Sequence, residues 1–294
     1  MKDIADKVGV STALVSYVLN GLEKEKRVGS EIAKKIHLTA REMNYKPNKI
    51  ARSLRKGSTN SIGLIVSDIS NPFFGQLAKI IEENATRYNY TVIFGSSNGE
   101  CSKSKSLIDT MLDRQVDGLI IVPTEEDSEQ IQSLINSGVH VVLIDRYLEG
   151  DSINYVILDN YQATYIATNT LISKGYNQIC MVTYKTLMNH MQERIQGYCN
   201  AMEDNGLGNM VQVKEVRYNH IKNDMAKIIE EVTKRKKTKA LLFATNALSI
   251  SGLHEIKKYN IKVPDELAVI CFDYHEAYDF FQPPITYVKQ PLED

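Results

Sequence analysis

From about residue 60 to residue 272 the chain repeats one pattern: a short run of branched apolar residues, a polar break, then a longer amphipathic stretch. The apolar runs 62–66, 91–94, 118–122 and 139–144 alternate with helical periodicity over 74–88, 103–114 and 127–137. After Leu158 the alternation resumes, with strands expected at 179–182, 211–216, 239–244 and 267–272. Helices are expected at 161–174, 192–205, 223–234 and 246–259. Strands that alternate with helices predict parallel sheets covered on both faces, here in two successive halves. Ligands of such sheets bind beyond the carboxyl ends of the strands, so polar and aromatic residues there become candidates.

The first 56 residues have another character. They hold 13 Lys and Arg against 6 Asp and Glu, whereas the remainder holds 22 against 30, although the whole chain is only -1. A basic head on an acidic body points to a head that meets a polyanion. Ile4, Ala5 and Val8 form the inner face of a helix over 2–7, and Gly9 supplies a tight turn. Ser11 or Thr12 caps a second helix over 12–20, with Leu14, Val15, Val18 and Leu19 inward and Asn20-Gly21 as its stop. Ser30 is expected to cap a third helix to about residue 44, burying Ile32, Ala33, Ile36, Ala40 and Met43. Two short helices joined by a glycine turn and braced by a third predict a helix-turn-helix unit. The outer face of its second helix carries Thr12, Ala13, Ser16 and Tyr17, with no acidic group to oppose phosphate or base edges. Pro47 opens a short hinge segment, 48–56, that contains Arg52, Leu54, Arg55 and Lys56. A nine-residue helix of this kind is too short to be stable alone.

These residues resemble the head of the LacI/GalR family of bacterial repressors. The likeness is carried in register by Asp3-Ile4-Ala5, Val8-Gly9-Val10-Ser11, Val15-Ser16-Tyr17-Val18-Leu19-Asn20, Asn44-Tyr45-Lys46-Pro47-Asn48, Ala51-Arg52-Ser53-Leu54 and Ser61-Ile62-Gly63. It implies an α plus α/β protein: a helix-turn-helix head over 1–46, a hinge helix over 47–58, and a sensor over 59–294. The sensor would be type I periplasmic-binding-protein-like, with subdomains at about 59–158 and 159–288 and a crossover at 289–294. The DNA-binding set so implied is Ser11, Thr12, Ala13, Ser16, Tyr17, Asn20, Arg52, Leu54 and Arg55. Thr12, Ala13 and Tyr17 stand at base-reading positions, Ser11 and Ser16 at phosphates. Leu54 stands where the family wedges a leucine into the minor groove, a distortion costing a few kcal/mol that the bent duplex offsets.

In the sensor, the strand-end residues Phe73, Phe74, Arg146, His190, Arg194, Tyr218, Asn246 and Asp273 form the expected effector set, and Asn71-Pro72-Phe73-Phe74 resembles the family's NPFF loop. Asp accepts, Arg donates, Asn does both, and an aromatic face covers sugar C–H groups, so a sugar or its derivative is the expected effector. Two departures stand out. Asn246 is followed by Ala247 where the family commonly has Asp, and Met188 stands where purine-responsive relatives carry a cation. Relatives also continue for roughly 40 residues beyond a segment like 286–291, so the last helix and strand are expected to be missing, leaving a sheet edge exposed.

Enzymatic and metal motifs are absent from the sequence: no GxGxxG, no GxxxxGK[ST], no GxSxG, and no HExxH among six histidines. Four separated cysteines fit a reducing compartment and use as small core residues. With no signal peptide and no membrane span expected, the reading is a cytoplasmic regulator, a homodimer or higher, on a pseudo-palindromic double-stranded DNA operator, with no cofactor and no catalytic role.

Overall fold

The computed structural model describes residues 1–45, 57–148, 153–235 and 237–293. They fall into two units, Met1–Thr59 and Asn60–Asp294. The first unit holds α1 (Lys2–Val8), α2 (Thr12–Leu19) and α3 (Ser30–Glu42). Ile4, Ala5, Val15, Val18, Ala33, Ile36 and Ala40 make its core. Gly9 ends α1 at φ 78, the left-handed turn that a side chain disfavours. Ser11 caps α2 by accepting from the Leu14 N–H at 3.2 Å, a contact whose loss typically costs about 1 kcal/mol. Three expectations need correction in α3. Its N-cap is Gly29, and Ser30 is already helical. Ile32 and Met43 are 41% and 40% exposed, because the three-helix core is narrow and closes over Ala33, Ile36, Thr39 and Ala40 only. The helix expected over 48–56, with Arg52, Leu54 and Arg55, lies outside the described residues.

The second unit is built from two lobes. In the first lobe β1 (Ser61–Val66), β2 (Thr91–Ser96), β3 (Gly118–Ile121), β4 (Val141–Ile144) and β5 (Asn154–Val156) form a sheet in the order β2-β1-β3-β4-β5. Its helices are α4 (Pro72–Arg87), α5 (Cys101–Asp113) and α6 (Ser128–Asn136). In the second lobe β6 (Ile179–Tyr184), β7 (Val213–Val216), β8 (Ala240–Phe243), β9 (Ala268–Phe272) and β10 (Thr286–Val288) take the order β10-β9-β8-β6-β7. Its helices are α7 (Asn160–Ser173), α8 (Asn189–Asp204), α9 (Ile221–Arg235) and α10 (Asn246–Lys258). Read from its other edge, the second sheet repeats the order of the first. All strand pairs are parallel.

Each sheet buries both faces, which is why its central strands read as unbroken apolar runs. In the first lobe Ile65, Leu119, Ile121 and Leu143 pack on Ile108, Met111, Ile131 and Leu134 of α5 and α6. Leu64, Val66, Val122 and Ile144 pack on Phe73, Phe74 and Ala78 of α4. In the second lobe Met181, Leu242 and Ile270 meet α7 and α8, and Val182, Leu241 and Val269 meet α9 and α10. Strands β5 and β10, three residues each, escaped the sequence reading because Asn154, Tyr155 and Val156 carry no apolar periodicity and edge strands need none. The chain passes between lobes at about residue 158 and again near 289, where Leu292 joins the first-lobe core. Of the cysteines expected in the core, Cys180 and Cys271 are buried, but Cys101 and Cys199 are partly exposed. Cys101 opens α5 at a helix end that faces the cleft between the lobes. Among the described residues no helix is long and apolar enough to cross a membrane.

Helices α7 and α8 pack closely at Gly197, where an added Cβ would lie 2.2 Å from the Tyr161 carbonyl oxygen. Backbone cannot yield as a flexible side chain does. Gly197→Ala is therefore expected to destabilise the sensor by about 1–3 kcal/mol in urea denaturation, with no change expected if the helices can slide apart freely.

Candidate functional site

On the head, the outer face of α2 presents Thr12, Ala13 and Tyr17 to solvent, with Ser11 exposed and Ser16 half-buried beside them. No acidic side chain interrupts α2. Lys26 stands 5.9 Å from the centre of the Tyr17 ring, which steadies the loop after α2 by a cation–π contact. Asn20 turns back instead of outward, its amide donating to the Ser16 carbonyl at 2.6 Å and to the Ser16 hydroxyl at 3.2 Å.

In the sensor, all eight expected residues (Phe73, Phe74, Arg146, His190, Arg194, Tyr218, Asn246 and Asp273) line one cleft of about 770 Å³ between the lobes. The sheets explain why. The carboxyl ends of both sets of parallel strands open toward the same gap, so the loops after β1, β4, β6, β7, β8 and β9 converge there. Asp145 and Asp273 end β4 and β9 with φ 68 and 60, left-handed values that Asp tolerates better than most residues. At both strand ends this turn sets a carboxylate in the cleft wall.

Arg194 projects from α8 and is 3% exposed. Its Nε donates to Asn160 Oδ1 at 2.8 Å, its Nη1 donates to the Ala244 carbonyl, and its guanidinium carbon stacks 3.7 Å from the Phe272 ring centre. Burial lowers its pKa, and Asp273 and Asp145 oppose that shift. Asp273 is pushed up to about 6 by burial, while Arg194 and a hydrogen bond from Gln290 Nε2 at 2.7 Å pull it down. Arg146 is held by Asp145, Nε to Oδ2 at 3.1 Å. His190, 7% exposed, lies close enough to both arginines to feel their charge; burial, then Arg146 and Arg194, depress its pKa well below the usual value, so the ring is neutral. Its Nδ1 is buried with no hydrogen-bond partner, an uncommon state for a polar atom.

Contacts between the lobes close the cleft mouth. Asn246 Nδ2 donates to Asn71 Oδ1 at 2.9 Å, and that same oxygen caps α4 through the Phe73 N–H. Glu125 receives the Thr186 hydroxyl and the Leu187 N–H. Tyr218 of the second lobe and Ser67 of the first both line the cleft, and Ser67 works against the burial that raises the Tyr218 pKa. The sequence reading missed several of these partners. Tyr184 escaped because β6 runs two residues past the apolar stretch that ended at Val182. Gln290 sits on the second crossing, where no periodicity marks it. Among the described residues no group of three or more His, Cys, Asp or Glu is arranged to hold a metal ion.

Family models match nearly the whole chain. Residues 1–48 match bacterial regulatory proteins of the lacI family, and residues 59–292 match periplasmic binding proteins and the sugar binding domain of the LacI family. The chain belongs to the LacI family. This LacI-family protein is 31% identical over 297 residues to catabolite control protein A of Priestia megaterium, covering 99% of this chain and 87% of that protein. It is 30% identical over 295 residues to the HTH-type transcriptional repressor PurR of Vibrio campbellii, covering 99% and 86%. Its fold matches the lac repressor dimer bound to operator and the anti-inducer ONPF, with TM-score 0.85, 20% identity, and 99% and 87% of the two chains covered. A putative ribose operon repressor from Burkholderia thailandensis gives TM-score 0.71 at 24% identity over 80% and 87%. The family is one of regulators. This member is thus a sequence-specific DNA-binding transcriptional regulator whose operator affinity is controlled by a small-molecule effector.

The Asp273 shift sets a pH dependence. Its carboxyl titrates at an ordinary 3.8 when unfolded and at about 6 when folded. Between those values the native state holds a proton that the unfolded chain has released. This group's contribution is therefore fully present below 3.8 and is lost as pH rises through about 6. Asp273→Asn lacks that loss, so the stability of the variant relative to wild type should climb between pH 4 and 7 and then level off. Urea titrations at four pH values read this directly, and a constant offset would contradict it.

Proposed function

We propose that this regulator is a repressor relieved or recruited by a sugar or sugar derivative bound between the two sensor lobes. The observation that carries the reading is the convergence of donors and acceptors in one cleft: buried Arg194, Asp273, Asn246 and the unpartnered His190 Nδ1, and half-buried Arg146, with Phe73, Phe74 and Tyr218 as apolar faces. Such a set meets vicinal hydroxyls with paired donors and acceptors and leaves the ring faces to aromatic carbon. The Met188 side chain, 7% exposed in the same wall, brings no charge for a purine. The effector is bound unchanged, with no catalytic role for these residues.

The proposed organisation is a DNA-binding head over 1–46, a hinge over 47–58 and a sensor over 59–294. The protein is proposed to act in the cytoplasm as a homodimer on a pseudo-palindromic operator, one head per half-site. Thr12, Ala13 and Tyr17 would read bases in the major groove, and Ser11 and Ser16 would hold phosphates. Asn20 would support that surface through Ser16. Leu54, flanked by Arg52 and Arg55, would wedge the minor groove at the operator centre. A shift in the angle between the lobes alters whether the hinges order, and a coupling of about 1–3 kcal/mol suffices to change operator affinity 5- to 150-fold.

Fluorescence anisotropy on the protein's own promoter region tests the head. Tyr17→Ala is expected to cost about 1–3 kcal/mol on the best site and to relax preference at one position in each half-site. An equal loss on all DNA would overturn the base-reading role. A thermal-shift screen of free and phosphorylated sugars tests the cleft, with each hit then added to the operator assay. Arg194→Ala should weaken any such hit at least about tenfold, since charge-assisted hydrogen bonds contribute about 1.5–3 kcal/mol each. Undiminished binding by that variant would remove Arg194 from the site.

A further inference from the structure

The cleft is longer than a single sugar ring needs. On the second lobe the strand order aligns Asp273 after β9, Thr245 and Asn246 after β8, Tyr184 at the end of β6 and Tyr218 beyond β7. Neighbouring strands lie about 4.8 Å apart, so three spacings from Asp273 to Tyr218 cover roughly 14 Å. The first lobe aligns a matching row, from Asp145 and Arg146 after β4, through Glu125 after β3, to Asp68 after β1 and Glu100 after β2. The two rows face each other across the cleft. Arg146 acts on His190 and also on Tyr218, Asp145 acts on Arg194 and Asp273, and Asp68 acts on Tyr184 and Tyr218.

The two ends differ in chemistry. The inner end is buried and rich in paired donors and acceptors. The outer end holds a tilted pair of rings, Tyr184 and Tyr218, with centres 5.4 Å apart. Tyr218 remains 48% exposed, a platform whose open ring is not consumed by the lobe's core. A carboxylate beside an open aromatic ring is again a carbohydrate-binding combination, hydroxyl acceptor next to C–H face.

Charge narrows the ligand further. Arg146 is paired with Asp145, and Arg194 is engaged by Asn160, Ala244 and the field of Asp273. Around the mouth stand Asp68, Glu100, Glu125 and Glu126, none of them in an ion pair among the described residues, against the single lining lysine, Lys185. A phosphate or carboxylate entering at this mouth would meet like charge.

We infer that the effector is an uncharged saccharide of at least two rings. One ring lies among Arg146, His190, Arg194 and Asp273, and the next stacks on Tyr218 beside Asp68. This rests on the sugar reading above and extends it to size and charge. The test is calorimetric titration of the full chain with matched sugars: glucose against cellobiose and maltose, galactose against lactose, xylose against xylobiose, and each hexose disaccharide against its 6-phosphate. At least one disaccharide should bind tenfold or more tighter than both its monosaccharide and its phosphate. Tyr218→Ala should bring that ratio below threefold, while Tyr218→Phe retains most of it. A monosaccharide or phosphorylated sugar that binds as tightly as the best disaccharide overturns the inference alone, as does a ratio untouched by Tyr218→Ala. A panel in which no sugar of any size binds overturns the sugar reading and the inference together.

Discussion

A buried guanidinium organises the sensor. Arg194 lies in a region too dry to leave a charge alone, so its neighbours must supply partners. Those partners come from separate parts of the chain: Asn160 where it has just crossed between the lobes, Ala244 at the end of β8, Phe272 at the end of β9, and the field of Asp273. Satisfying one cation thereby aligns a crossing, a helix and two strand ends. The same requirement holds Asp273 partly charged against its own desolvation. The interactions that stabilise the cleft floor are therefore the ones that shape its recognition surface.

The lobes add a second constraint. Two sheets with the same strand order face each other by their carboxyl edges, and most loops that leave those edges contribute to one trough. Closure is expressed by few groups. The Asn71 side chain caps α4 and also accepts from Asn246 of the opposite lobe, so a change in cleft width reaches the start of a first-lobe helix directly. Glu125 with Thr186 and Leu187 makes a separate bridge. Hydrogen bonds of this kind contribute about 0.5–1.5 kcal/mol each. Their sum is comparable to the coupling that a regulator needs, small enough for a ligand to reverse and large enough to bias the lobes.

The head follows a different economy. Its core is only a handful of side chains, and Ile32 and Met43, which periodicity would bury, remain at the surface because three short helices cannot enclose them. What the head gains is an outer face on α2 free of acidic groups and capped by Ser11, suited to an anionic partner.

Much of this was written in the order of residues. Periods of apolar residues marked the central strands and most helices, glycine at position 9 and serine at position 11 marked the turn and cap, and charge separated head from body. These features are local, and local sequence encodes them through backbone sterics, capping and burial. Strand ends and the resemblance to the family together even selected eight residues that share one cleft. Tertiary structure alone decided the remainder. The three-residue strands β5 and β10 exist because a neighbour supplies their hydrogen bonds, not because their own residues demand a strand. The meeting of Asn71 with Asn246, 175 residues apart, and the long row from Asp273 to Tyr218 depend on strand order, which no local pattern records. Charge states belong here too: Asp273 and His190 titrate abnormally because of what surrounds them, and surroundings are assembled only when the chain folds.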